Sequence, residues 1–352
     1  MSQASNGNGH APSKKLWVAG ATGFLGSHLV TRLDAAGHSL VAVSRSGGKV
    51  GRVEVRPLDV LDAEAVAESA RGSDGAFLVT GKVSRSKDAA EELHRAHVQA
   101  TRSALEGLKK AGVRRVVVAS TSGTIAVSRD EDVIADESSP APLELIARWP
   151  YYRSKLYGER AALEANAPDF EVIVVNPSLL LGPGDLRESS TGDVRLFLQK
   201  AIPAVPAGGL AFVDVRDAAE GMWLAFERGR PGQRYLLNAK NLTFASFLSR
   251  LERISGVKAP VLKMPRSRPL ATGMSRLYVK AVRAIGGEPP VDEESAELGQ
   301  YYWYCDASRA ERELGFQARD PGETLRDTVH DLVRRGVVFL PGFSEPSPAV
   351  DA

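Results

Sequence analysis

The sequence predicts an α/β protein: a doubly wound parallel sheet with a smaller, mostly helical part toward the C-terminus. Three observations predict it. Five short apolar runs alternate with helical stretches as far as residue 120, the pattern of a parallel sheet covered on both faces. The first run enters a helix through a turn holding Gly20, Gly23 and Gly26. Beyond residue 240 the apolar spacing becomes helical, at 244–254, 268–285, 308–314 and 323–335.

Taken in order, Lys15 to Ala19 is a short apolar run of the kind a buried strand needs. Helical periodicity follows from Ser27 to Leu33. Between them stand Gly20, Ala21, Thr22, Gly23, Phe24, Leu25 and Gly26. Strand, glycine turn and helix together form the context of a dinucleotide-binding fingerprint. Glycines let the backbone approach a pyrophosphate, whose charge sits at the helix N-terminus. Gly20, Thr22, Gly23, Phe24, Leu25 and Gly26 are therefore candidate cofactor contacts, although the G-x-x-G-x-x-G spacing is one residue looser than the common form. Ser39 to Val43 reads as the second strand. Arg45 and Lys49 follow it, and no Asp or Glu occurs between Leu40 and Arg52. A carboxylate here would bind the ribose hydroxyls of NAD, whereas an Arg accommodates the 2′-phosphate of NADP. Arg45 points to NADP, with NAD as the alternative.

Val53 to Pro57 alternates as a third strand, and Leu58, Asp59 and Val60 lead into a helix near 62–71. Gly75 to Val79 and Arg115 to Ala119 are the fourth and fifth strands, separated by a long helix over 89–111. Phe170 to Val175 is a sixth, running into Asn176 and Pro177. Ligands of such a sheet bind beyond the carboxyl ends of its strands. Asp59, Val60, Thr80 and Pro177 join the cofactor candidates there. Ser120 to Thr124 leaves the fifth strand at the same edge, where hydroxyls can donate to a substrate oxygen.

Tyr151 and Lys155 lie four apart, just inside a helix opened by Pro150. They share one face of it, one turn from each other. A nearby ammonium favours the phenolate and is expected to lower the phenol's pKa from about 10. The pair is a candidate proton donor, although a Tyr-x-x-x-Lys spacing alone is short and common.

Composition narrows the function classes. The chain has 352 residues, 43% hydrophobic and 25% charged, enough for a large core. A net charge of +2 gives no reason to expect nucleic acid or an anionic membrane as partner. The single cysteine, Cys305, cannot form an intrachain disulfide and reads as packing; the six histidines show no metal-ligand spacing. No apolar run approaches the roughly 20 residues of a membrane span. Residues 1–15 and 341–352 read as disordered tails, the first without the apolar stretch of a signal peptide. A cytoplasmic protein is the expectation.

Gly20-x-x-Gly23-x-x-Gly26, Ser122, Tyr151-x-x-x-Lys155 and the run Asn176 to Gly184 stand in the order and spacing of the extended short-chain dehydrogenase/reductases. The chain resembles that family from about Leu16 to Arg335, and within it the dihydroflavonol-reductase-like and hopanoid-associated sugar-epimerase-like proteins. The resemblance implies a Rossmann domain of residues 16–176 plus about 210–240, returning through the Asp214 to Asp217 segment. A substrate domain of 177–209 plus about 241–340 would cover the nicotinamide. It implies catalytic roles for Ser122, Tyr151 and Lys155, with Thr124 a second hydroxyl, and Lys155 also on the nicotinamide ribose. It implies a small-molecule carbonyl or alcohol substrate and a homodimer through the helices before the fifth strand and around Tyr151. Three departures shape the reading. Thr121, Ser122 and Gly123 replace the Thr-Asp-Glu of sugar dehydratases. Gly208 and Gly209 stand where epimerases place an Arg for the sugar diphosphate. His97 stands where Asn is common, as a partly exposed helical residue. A ketone or aldehyde reductase is thus favoured over an NAD-dependent nucleotide-sugar epimerase, and a non-catalytic dinucleotide sensor is disfavoured by the retained triad. Trp149, Tyr152, Leu179 to Leu181 and Gln300 to Tyr304 suggest an apolar or aromatic substrate, although for each aromatic core packing is the commoner fate.

Overall fold

The computed structural model describes residues 12–341. In chain order the elements are β1 (Lys15–Ala19), α1 (Phe24–Ala35), β2 (Ser39–Ser44), β3 (Gly48–Val50), β4 (Val53–Pro57), α2 (Ala63–Ala70) and β5 (Gly75–Leu78). Next come α3 (Ala90–His94), a π turn (Arg95–Gln99), α4 (Ala100–Lys110), β6 (Arg115–Ala119), α5 (Leu143–Ile146), α6 (Pro150–Glu164), β7 (Glu171–Pro177) and β8 (Leu179–Leu181). The chain continues through α7 (Gly192–Leu198), β9 (Gly209–Asp214), α8 (Val215–Arg228), β10 (Arg234–Leu237) and β11 (Lys240–Thr243). It ends with α9 (Phe244–Ser255), α10 (Arg268–Ala284), α11 (Glu293–Leu298), α12 (Ser308–Leu314) and α13 (Pro321–Arg334).

The main sheet has the order β10-β7-β6-β5-β1-β2-β4-β3. All neighbours pair in parallel except β3, which closes a hairpin with β4. From β1 the chain steps outward through β2 and β4, then crosses back to β5 on the other side of β1. That reversal opens a crevice at the strands' carboxyl ends, where such sheets bind ligands. β1 is apolar on both faces because both are covered. Leu16 and Val18 join the core under α1 and α8, while Trp17 and Ala19 join the one under α2, α4 and α6. A third core gathers Phe197, Phe212, Phe247, Leu325 and their neighbours around a small sheet of order β11-β9-β8.

The second part is mostly helical as expected, and β8, β9 and β11 add a small sheet to it. Several expectations are corrected. β9 belongs to that small sheet, while the helix it feeds, α8, packs on α1, and β10 returns to the edge of the main sheet. The basic loop after β2 is a hairpin, because Gly47, Gly48 and Gly51 adopt positive φ and let the chain reverse. The long helix before β6 is interrupted by the π turn at His97. The amino-terminal tail ends earlier than residue 15: Ser13 donates to the Gly37 carbonyl at 2.8 Å and the Lys14 amide to His38 Nδ1 at 3.2 Å. The rest of the two expected tails, residues 1–11 and 342–352, lies outside the described residues.

Two glycines make the first turn. Gly20 has φ +79°, and a Cβ on it would lie 2.5 Å from the Val79 carbonyl oxygen. A Cβ on Gly26 would overlap the Gly20 carbonyl oxygen, so α1 reaches the turn only without a side chain there. Both clashes are with backbone, which cannot rotate away. Gly26→Ala is expected to lower the unfolding free energy by about 2–3 kcal/mol in urea titration. An unchanged midpoint would show that the turn relaxes freely.

Candidate active site

A cleft of ≈1680 Å³ lies along the carboxyl ends of the main sheet and under α7, α10 and α11. Thr22, Gly23, Phe24, Leu25 and Gly26 line it at one end, together with Arg45, Thr80 and Pro177. Ser122, Tyr151 and Lys155 line its middle. Gly20 acts from beneath, through the backbone shape just described. Asp59 and Val60 do not line the cleft. The Asp59 carboxylate accepts from the Leu61 amide at 3.0 Å, and Val60 is buried in the core under α2.

The cofactor end fits a dinucleotide. The glycine turn leaves room that a Cβ would fill. The first turn of α1 carries no acidic residue, and no side chain caps it. Its amides are available to a phosphate, favoured there by the helix dipole. Arg45 is exposed at the mouth, with no carboxylate paired to it among the described residues.

Pro150 starts α6, and the i, i+4, i+8 rule then sets Tyr151, Lys155 and Glu159 along one stripe. Glu159 is buried and anchors that stripe. Its Oε2 accepts from Ser120 Oγ at 2.6 Å and Asn176 Nδ2 at 2.7 Å, and lies 2.9 Å from Thr124 Oγ1. Its Oε1 meets Arg234 Nη1 at 3.0 Å. Thr124, fully buried, is therefore committed to Glu159 and does not face the cleft. Lys155 Nζ donates to the Ala119 carbonyl at 3.4 Å. Burial pulls Lys155 down to about 8, opposed by the negative charge of Glu159. Burial pushes the Tyr151 phenol above its usual range. The expected lowering of that phenol by Lys155 is thus not met: burial, and after it the neighbouring Tyr152, both raise the phenol. The result is a phenol that keeps its proton at neutral pH.

His97 is buried, not partly exposed. The π turn pushes it toward α6, where a Cβ on Gly158 would overlap the His97 carbonyl oxygen. The Lys82 amide donates to Nε2 at 3.1 Å, which assigns the ring proton to Nδ1. Nδ1 lies 2.8 Å from Ser154 Oγ, which donates to the Tyr151 carbonyl at 2.8 Å. Burial, reinforced by the charge of Lys155, lowers the His97 pKa to about 2, so the imidazole is a neutral bracket between the loop after β5 and α6.

The other end of the cleft is more apolar. Tyr152 stacks on Trp303 with centroids 4.6 Å apart, and both line the cleft with Leu179, Leu180 and Gln300. A side chain at Gly123 would overlap the Tyr152 ring. Trp149, Tyr301, Tyr302 and Tyr304 are instead buried behind this wall, as is Cys305. Arg85 crosses the cleft to Asp193 at 2.9 Å and Ser295 Oγ at 3.1 Å, tying the loop after β5 to α7 and α11. Glu159, His97 and Arg85 were missed as site residues. Glu159 left a signal, four residues beyond Lys155 on the same helical stripe, and His97 left one as a departure from the family pattern, read as partly exposed; Arg85 left none.

A family model described as "NAD dependent epimerase/dehydratase family" matches residues 16–237. A Synechocystis sp. protein provisionally named dihydroflavonol 4-reductase is 32% identical over 92% of this chain and 95% of its own length. The 4-hydroxy-2-methyl-3-oxo-4-farnesyl-3,4-dihydroquinoline-1-oxide ketoreductase of Stigmatella aurantiaca is 31% identical, over 93% of this chain and 99% of its own. The crystal structure of gox2253 superposes with a TM-score of 0.78 at 28% identity, covering 93% of this chain and 100% of that one. The chain belongs to the NAD dependent epimerase/dehydratase family, in agreement with the extended short-chain dehydrogenase/reductase resemblance of its motifs. It is an NAD(P)-dependent oxidoreductase acting on carbonyl or alcohol groups.

Two outcomes follow from the buried charges. Glu159→Ala leaves Arg234 without its carboxylate and is expected to cost about 3–5 kcal/mol in denaturant titration. Lys155→Met removes a cation whose burial is unfavourable, and is expected to raise the melting temperature at neutral pH by about 2–4 °C. The sign can be checked against pH. Lys155 has a folded pKa of about 8, below its ordinary 10.5, so the unfolded chain binds more protons between those values. Wild-type stability therefore gains on Lys155→Met as pH rises through that window. A constant difference across it would refute the assignment.

Proposed function

We propose that this member of the family is an NADP-dependent ketone or aldehyde reductase for a small apolar or aromatic substrate. One observation carries the reading: a single cleft joins the glycine turn and Arg45, unpaired among the described residues, to Tyr151 and Lys155, then to an apolar wall at Tyr152 and Trp303. Relatives named for dihydroflavonol and farnesyl-quinoline ketone chemistry support it.

In this reading Thr22 to Gly26 and Thr80 hold the dinucleotide, and Arg45 takes the 2′-phosphate. Bound nicotinamide supplies the hydride. Ser122 orients the substrate oxygen, and Tyr151 donates its proton to that oxygen as charge develops. The raised phenol pKa suits a donor. Lys155 stabilises the resulting phenolate and contacts the nicotinamide ribose. Tyr152, Trp303, Leu179 and Leu180 select an apolar or aromatic body. Against a nucleotide-sugar substrate, Gly208 and Gly209 leave no space for a diphosphate-binding side chain. A Cβ on either would overlap Tyr301 or Tyr304.

The test is NADPH consumption with aromatic and aliphatic ketones and aldehydes. Tyr151→Phe is expected to keep cofactor affinity and lose about 10²–10⁴-fold in turnover. Arg45→Ala is expected to weaken NADPH binding by about 10–100-fold and leave NADH binding unchanged. Full turnover in Tyr151→Phe would overturn the acid role. Interconversion of a nucleotide-sugar without net NADPH loss would replace the reductase by an epimerase.

A further inference from the structure

The near-neutral chain conceals a segregated charge. From Lys258 to Gly287 there are seven basic residues and no acidic one. The segment comprises the loop after α9 and the whole of α10. Helix α10 buries Ala271 and Val279 on one side and packs on α11. Its opposite side exposes Leu270 (57%), Met274 (37%) and Leu277 (70%), at i, i+4 and i+7, a stripe continued by Ile285 (85%). Val261 (97%) and Leu262 (55%) extend this surface along the preceding loop. Three of the cations have acidic neighbours: Lys258 with Glu252, Arg266 with Glu131 and Arg276 with Glu293. Arg268 lies over the Tyr301 ring. Lys263, Lys280 and Arg283 have no ion pair among the described residues. Arg276, Lys280 and Arg283 fall along one flank of the apolar stripe.

An amphipathic helix with an exposed apolar stripe and a basic flank is the form that settles into a lipid headgroup layer. Its basic flank matches an anionic surface. It does not suit a second copy, since a two-fold contact would set these cations against themselves. No described helix is long and apolar enough to cross a membrane. We propose that α10 and the loop before it dock the protein on the surface of an anionic lipid bilayer, with the cleft mouth facing the lipid. Leu262, Met264, Met274 and Tyr278 belong both to this region and to the cleft lining. An apolar substrate can therefore pass from the acyl layer to Tyr152 and Trp303 without crossing water. That delivery role rests on the apolar-substrate reading above; the docking itself does not.

Flotation of the full chain with phosphatidylglycerol–phosphatidylcholine vesicles tests it, with phosphatidylcholine alone as control. The protein is expected to float with the anionic vesicles, not with the neutral ones, and to be released by high salt. Leu270→Glu with Leu277→Glu should abolish flotation. Lys263→Gln and Lys280→Gln should each lower the partition roughly five-fold. None of these four residues lines the cleft, so NADPH binding and melting temperature should stay at wild-type values in every variant. A wild-type protein that stays in solution, or variants that float as it does, would overturn the docking. So would light scattering that shows a dimer which Leu277→Glu splits. A protein that floats but reduces no carbonyl would leave the docking standing and remove the reductase reading.

Discussion

The carboxylate of Glu159 is the fastening on which the rest of the site depends. It receives Ser120 from the end of β6, Asn176 from β7 and Arg234 from β10, while sitting on the helix that carries Tyr151 and Lys155. Three strands of the main sheet and one helix are thereby fixed to a single buried group. Its two oxygens are surrounded by donors, so the buried carboxylate has its hydrogen-bonding capacity met. From there it acts on Lys155, one turn away, offsetting part of the cost of burying an ammonium.

This arrangement explains the division of labour along α6. The amino-terminal turn faces the cleft and the middle of the helix faces the sheet. His97 closes the third side, holding the loop after β5 through Lys82 and the backbone of Tyr151 through Ser154. A neutral imidazole suits that place. A second cation beside Lys155 would have to be buried as well, and its desolvation would have no carboxylate to balance it.

Much of the fold could be read from the sequence because its buried strands are apolar runs, its more exposed β4 alternates, and its long helices keep their periodicity. Lys15–Ala19, Val53–Pro57 and Arg115–Ala119 match to the residue. The failures have physical causes. β3, β10 and β11 are three or four residues long, too short for a periodic signal. The sheet that β9 joins is decided by tertiary pairing, which its own residues do not encode. Of the site, Tyr151, Lys155 and the glycine turn were visible because their spacing is local. Glu159's partners lie 17 to 75 residues away in sequence, and no local pattern links them. Asp59 and Val60 were placed by strand order alone, and burial and a local turn took them elsewhere. The net charge is silent on another point: an average over the chain does not show that residues 258–287 hold no acidic residue.

The two sheets meet without a linker. β9 ends at Asp214, which is both the last residue of a small-sheet strand and the cap of α8, a helix of the main sheet. Arg216 joins that carboxylate at 2.8 Å to Asp327 of α13 at 2.6 Å, and Arg319 reaches Asp217 at 2.8 Å. The chain thus crosses between the two cores through a knot of paired charges. Neither core is a contiguous stretch of gene, and no single cut separates them. Exchanging one core for another therefore takes more than one cut in the chain, because each draws on segments on both sides of the other.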